Sequence, residues 1–106
     1  MKKELDIFRE YKCDFCMSVQ DNGFAPQIVA GDTVLVHTQS EVSNGDIHVI
    51  LMGEQALLRR ISHNQHGLIL TVDNPQIAPI IIESNEIKQL RILGVATAVL
   101  HKLTAT

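Results

Sequence analysis

The chain contains no tryptophan, and its aromatic residues are three Phe and one Tyr, 4% of 106 residues. With 45% apolar residues a core is still expected, and it must be aliphatic. So few rings exclude the stacked-base platforms of single-strand nucleic-acid binders. Positive charge is also scarce. Nine Lys and Arg stand against twelve Asp and Glu, for a net charge of −3 and an isoelectric point near 5.9. That balance argues against a phosphate-binding surface, which needs clustered basic residues. No apolar run approaches the roughly 20 residues of a membrane span, and no apolar signal region follows Met1-Lys2-Lys3. A cytoplasmic protein without membrane partners is expected. Two cysteines do not make a disulfide framework.

What is present is punctuated β-type sequence. The stretch from Phe15 to Val36 organises the rest. A strand-like run (Phe15 to Val19) enters an Asp21-Asn22-Gly23 turn, then Pro26 and Gly31-Asp32 break the chain, and Thr33 to Val36 begins a second strand. Asn-Gly between apolar runs predicts a tight turn, because both residues tolerate positive φ. Asn44-Gly45 repeats that hairpin signal. Further strands are predicted over 46–52, 55–61, 68–72, 80–82 and 90–103, with Gly94 a bend or bulge and Ser84 the cap of one helical turn over 84–88. The segment ALLRRI suits a helix in isolation, but its place between two turns favours a hairpin strand. Residues 1–12 read as an arm or linker remnant, with Leu5, Phe8 and Tyr11 on one helical stripe, and 13–106 read as one mostly-β domain.

Residues that carry chemistry are scattered. Cys13 and Cys16 form C-x-x-C, but a structural zinc site needs four ligands, and residues three apart on a strand face opposite ways. Two small, partly buried thiols are the plainer reading, and no metal or cofactor is expected. His37, His48, His63, His66 and His101 lack a local nucleophile and acid. The Arg59-Arg60 pair is too small to bind nucleic acid on an acidic protein.

Taken together and in order, several segments resemble one known family. They are FCMSVQDNGFAP, the Gly31-Asp32 pair with Val34 to Val36, Val42-x-Asn44-Gly45-Asp46, EQALLRRI, Asn74-Pro75 and Ile92-Leu93-Gly94-Val95. This series is similar to the C-terminal domain of LexA and the lambda-type phage repressors, over residues 13 to about 102. The resemblance implies a mostly-β LexA/signal-peptidase-like domain of twisted, partly barrel-like antiparallel sheets. It also implies a serine peptidase with a Ser–Lys dyad, in which a buried lysine of lowered pKa takes the proton of a weak serine nucleophile.

At both dyad positions this chain departs from the pattern. Gly23 stands where the resemblance places the serine, and Arg59 stands where it places the lysine. Glycine has no nucleophile, and a guanidinium does not lose its proton in proteins. The Ala-Gly or Cys-Gly self-cleavage dipeptide of the related repressors does not precede Gly23 either. The expectation is therefore an inactive peptidase homologue with a vestigial cleft formed by Asn22, Gly23, Phe24, Pro26, Arg59 and Arg60. Arg59 would lie in that groove or pair with Asp21, Asp32 or Asp46. Such a domain would act as the dimerisation module of a phage- or prophage-type repressor. DNA would be reached only through a helix-turn-helix part that these residues do not contain. Ile80, Ile81, Ile82, Ile92, Val95 and Val99 are the candidate homodimer surface. Two alternatives remain: a self-cleaving peptidase using Cys16 or Ser18, and a module whose old cleft captures a peptide or an antirepressor protein.

Overall fold

A computed structural model of the chain describes residues 6–103. Expectations that fall on residues 1–5, including Leu5 of the helical stripe, lie outside the described residues. Seven strands follow one another: β1 (Phe15–Ser18), β2 (Thr33–Thr38), β3 (Ile47–Met52), β4 (Gln55–Asn64), β5 (Gly67–Thr71), β6 (Ile80–Glu83) and β7 (Leu90–Leu100). They form one curled antiparallel sheet in the order β1-β2-β7-β3-β4-β5-β6. All seven predicted strands are present. ALLRRI lies within β4, because Gly53, at φ 63°, turns the chain so that Met52 pairs with Gln55.

The order of the strands corrects one expectation. Asn44-Gly45 does not close a hairpin: β2 and β3 both pair with β7, which lies between them. The last strand of the chain is therefore an interior strand of the sheet. Gly94 fits there because its neighbour is so close. A Cβ at this position would collide with the His37 carbonyl oxygen and approach Val36 Cγ1 to 2.7 Å. The bend predicted at Gly94 takes the form of register shifts on either side. β7 carries one extra residue opposite Val49/Ile50 and another opposite Leu35/Val36. The predicted helical turn is a 3-10 turn over Ser84–Gln89, and its N-cap is Glu83, not Ser84. Glu83 and Glu86 satisfy each other's backbone N–H groups, a reciprocal pairing that outcompetes the serine hydroxyl.

The apolar residues sort into two clusters. One contains Val19, Phe24, Ile28, Val34, Val36, Val49 and Leu58. The other contains Ile50, Ile61, Leu68, Leu70 and Ile82. The clusters lie on opposite faces of β3 and β4, since side chains alternate along a strand. Both faces of β3 are covered, which is why Ile47–Met52 is apolar at every position but His48.

Residues 6–12 are not a loose arm. A single helical turn, α1 (Ile7–Glu10), starts at Asp6, whose side chain accepts from Arg9 N. The segment is tied to the sheet where the Thr97 hydroxyl donates to Tyr11 O at 2.7 Å and His37 Nδ1 meets Lys12 O at 3.2 Å. Phe8 and Tyr11 remain 48% and 40% exposed, so these ties hold the segment more than apolar burial does.

Candidate functional site

The connection between β1 and β2 carries the position where a nucleophile would stand. Its ends are pinned: Val19 N donates to Asp32 O at 2.8 Å, and Gly31 N donates to Val19 O at 3.0 Å. Asp32 closes the far side, accepting from Val29 N at 3.0 Å and facing His101 Nδ1 at 2.6 Å. The Val29 amide, and then His101, hold the Asp32 carboxyl below the usual range. Asn22 Oδ1 accepts from Ala30 N across the loop at 3.0 Å. Phe24 and Ile28 anchor it from below, only 3% and 5% exposed. Asn22 and Pro26 point outward, whereas Gly23 and Phe24 are buried.

Gly23 is not glycine for the reason that its turn sequence suggests. Its φ is not positive, unlike that of Gly31 at 97° and Gly45 at 86°. What the position lacks is room. A Cβ there would stand 3.1 Å from Val72 Cγ1 and 3.2 Å from Val72 Cβ. The peptide groups around it are satisfied: Gly23 N donates to Asp21 Oδ1 at 3.1 Å, and Gly23 O accepts from Asn74 N at 2.9 Å.

The two neighbouring arginines part company on β4. Arg60 pairs across the sheet with Ile47 and Thr71, on the face of the Phe24 cluster. Its guanidinium meets both oxygens of Asp73, at 2.8 and 3.2 Å, and donates to Gly45 O at 2.8 Å. It also lies 5.7 Å from the centre of the Phe24 ring, within cation–π reach. The Asp73 carboxylate holds Arg60 firmly charged, and Arg60 in turn lowers the Asp73 carboxyl. Thus Gly23, Phe24, Arg60, Val72, Asp73 and Asn74 form one connected cluster, of which Val72 and Asp73 carry no signal in the sequence.

Arg59 leaves the opposite face, directly across from His48. Its Nη1 turns back onto its own strand and donates to Leu58 O at 2.6 Å. No carboxylate lies within ion-pair distance of it among the described residues, so pairing with Asp21, Asp32 or Asp46 is not observed. Between the loop and β4, Met17, Val19, Gln20, Asp21 and Ala56 to Leu58 enclose only about 30 Å³. A far larger depression, about 610 Å³, lies away from Gly23, between the β4–β5 turn, β6 and the 3-10 turn.

His48 is fully buried, and it is satisfied. Its Nδ1 faces Asp46 O at 2.8 Å and its Nε2 accepts from Ser43 N at 3.0 Å. With both ring nitrogens so placed, the neutral ring protonated on Nδ1 fits, and burial pushes its pKa down. The cysteines depart from the strand-spacing expectation. Cys13 precedes β1 at a corner where Asp14 N donates to Val36 O at 2.7 Å and Lys12 holds φ 53°. The corner brings the two Sγ atoms to 3.8 Å. Burial, and then the neighbouring Cys13, push the Cys16 thiol up. Among the described residues, no group of three His, Cys, Asp or Glu side chains could hold a metal ion.

Of the six candidate dimer residues, Ile81 is 67% exposed, while Ile82 and Val95 are 8% and 9% exposed and belong to the interior. Ile80, Ile92 and Val99 are half-buried. The free hydrogen-bonding edges of the sheet belong to β1 and β6.

The fold agrees with comparison to known proteins. The model of the Peptidase S24-like family matches residues 1–97. The chain belongs to that family. It is similar to the LexA repressor of Desulforamulus reducens, 32% identical over 97 residues, which is 91% of this chain and 43% of the repressor. The LexA repressor of Polaromonas naphthalenivorans is 34% identical over 79 residues, 74% of this chain and 32% of its own length. That of Pseudomonas aeruginosa is 31% identical over 86 residues, covering 81% and 40%. The chain thus spans less than half the length of these relatives, and it shares the LexA-like domain of a repressor-type regulatory family. No helix among the described residues is long and apolar enough to cross a membrane.

Proposed function

We propose that this S24-like domain does not cut peptide bonds and serves as the assembly module of a phage- or prophage-type repressor. The observation that carries this reading is the environment of Gly23. The residue offers no hydroxyl, and Val72 crowds the place of a serine Cβ, which would stand 3.1 Å from its Cγ1. Arg59, which stands in the lysine position of the resemblance but leaves the face of β4 opposite the Gly23 cluster, supports the same conclusion. Arg59 cannot act as a base at neutral pH, and its guanidinium is engaged by the Leu58 carbonyl. Losing either partner disables a dyad that depends on proton transfer between the two. Cys16 does not replace the serine, because its thiol sits beside Cys13, before the loop. Capture of a peptide in the old groove gains no support either. The hollow between the loop and β4 is only about 30 Å³, and none of Gly23, Phe24, Pro26, Arg59 or Arg60 lines it.

The module would act by pairing subunits. Two half-site DNA binders joined in this way gain affinity through effective concentration. A helix-turn-helix part outside this domain would supply the DNA contact, and the acidic balance suits a domain that leaves DNA to it. The free edge of β6 with exposed Ile81 is the contact surface, in a two-fold arrangement of like edges.

Incubation at alkaline pH, followed by intact mass spectrometry, tests the first half. The chain should stay whole, and one specific internal cut would overturn the reading. Sedimentation at micromolar concentration tests the second half. A dimer is expected, reduced to monomer by Ile81→Lys, and a monomeric parent would refute the assembly role.

A further inference from the structure

The corner before β1 carries a feature that neither the family nor the assembly role explains. Cys13 Sγ and Cys16 Sγ lie 3.8 Å apart, and Cys13 Sγ also lies 3.3 Å from Phe15 O, to which it donates. Cys16 is exposed and Cys13 is half-buried behind it. One thiol is therefore open to a reagent, and the second is placed to resolve what forms there. We propose that Cys13 and Cys16 are a reversible dithiol–disulfide site, oxidised by small disulfides of the glutathione type.

The geometry needs little movement. A disulfide bond is about 2.05 Å long, so the sulfurs must approach by roughly 1.8 Å. β1 is an edge strand bonded on one side alone, to β2, and can yield without disturbing the centre of the sheet. No third ligand stands by among the described residues, so the arrangement suits exchange chemistry better than metal capture.

The exchange balances in two steps. Cys16 thiolate attacks one sulfur of glutathione disulfide. A Cys16–glutathione bond forms as the glutathione S–S bond breaks, and one glutathione thiolate leaves. Cys13 thiolate then attacks Cys16 Sγ, forming the Cys13–Cys16 bond and releasing the second glutathione. Two electrons pass from the protein to the oxidant, and the two thiol protons end on the two departing glutathiones.

The new ring would contain Asp14, which links the corner to the sheet. Its carboxylate accepts from Thr38 N at 2.8 Å and faces His37 Nδ1 at 3.1 Å. Oxidation is thus read by β2 and by the joint that ties residues 6–12 to it.

The test is equilibration of the reduced chain in glutathione buffers of stepped ratio, followed by alkylation and intact mass spectrometry. The expected result is a monomer lighter by two hydrogens that resists alkylation at both cysteines and returns to full alkylation in dithiothreitol. Cys13→Ser should stop at a stable Cys16–glutathione adduct. Thiols that remain alkylatable at every ratio would overturn the proposal, as would a stable adduct on the parent chain or bonds between chains. The Thr38 amide resonance should shift on oxidation. An unmoved Thr38 beside a formed bond would overturn the link to β2.

Discussion

The two ends of β1 behave in opposite ways. At its exit, the position where the family's chemistry is expected is closed: Gly23 is buried against Val72 and tied to Asn74, beside Phe24, over which Arg60 lies. At its entry, where spacing along a strand keeps the thiols apart, a corner brings them together at 3.8 Å. The lesson concerns what a residue's identity can carry. A missing hydroxyl is legible one position at a time. A meeting of side chains depends on the backbone path between them, and here on the left-handed Lys12 and the anchored Asp14.

The largest expected effect strikes the closed end. Gly23→Leu should destabilise the domain by about 3 kcal/mol, because a well-packed site must open to receive extra methylene groups. Gly23→Ser should cost less, about 1 kcal/mol, and Val72→Ala made with it should recover part of that loss. Urea denaturation midpoints for the two single variants and the double variant measure the coupling. Strict additivity would mean that Val72 is not what holds the position shut.

Next come the arginines. Arg60→Ala removes the fork onto Asp73, the bond to Gly45 O and the cover on Phe24. The ion pair is about one-third exposed and screened, so the summed loss should be about 2 kcal/mol. Arg59→Ala should cost less than about 1 kcal/mol, since its carbonyl partner is its strand neighbour's and no carboxylate is stranded. Equal effects in thermal unfolding would break the distinction between the two side chains.

The fold should also respond to acid. His48 is neutral in the fold, with a pKa below its ordinary 6.5. Above that value neither the folded nor the unfolded state gains a proton. As pH falls below it, the unfolded chain binds a proton first, so stability declines until the folded His48 also protonates. One such group sets a slope of up to about 1.4 kcal/mol per pH unit. Asp73, held low by Arg60, adds a separate loss further down, as pH falls below 3.8 toward its depressed value. Unfolding curves at stepped pH should show the upper decline vanish in His48→Asn and the lower one shrink in Asp73→Asn, the remainder belonging to Asp14 and Asp32, whose carboxyls are also held low.

Much of the fold was legible because its signals are local. Gly53 between two apolar runs marks a true hairpin, and alternation in Thr33–Thr38 marks a strand. The insertion of β7 between β2 and β3 was not legible, since Asn44-Gly45 looks the same whether or not its flanking strands pair. The buried face of Leu35 was hidden likewise: it depends on a sheet neighbour more than sixty residues away in sequence. At the site, Gly23 and Arg59 were singled out through the family resemblance. Arg59, expected in the same groove as Gly23 and Arg60, instead takes the opposite face of β4, because two adjacent strand residues cannot share one. Val72 and Asp73 follow a strand and precede Asn74-Pro75, and nothing in their identity announces that they fill and brace the loop.

The smallest expected effect belongs to the thiol corner, and its smallness is the point. Under reducing conditions Cys13→Ser and Cys16→Ser should each change stability by no more than about 0.5 kcal/mol, because neither side chain belongs to an apolar cluster and a hydroxyl can replace the bond to Phe15 O. Parent and variants should therefore unfold alike in dithiothreitol. Without it, after equilibration with glutathione disulfide, the parent alone should gain a Cys13–Cys16 bond and shift, and only slightly, because a bond closing so short a loop acts on few residues of the unfolded chain. A large loss in reduced Cys13→Ser would make that cysteine a packing residue like Phe24, and the contrast between the two ends of β1 would disappear.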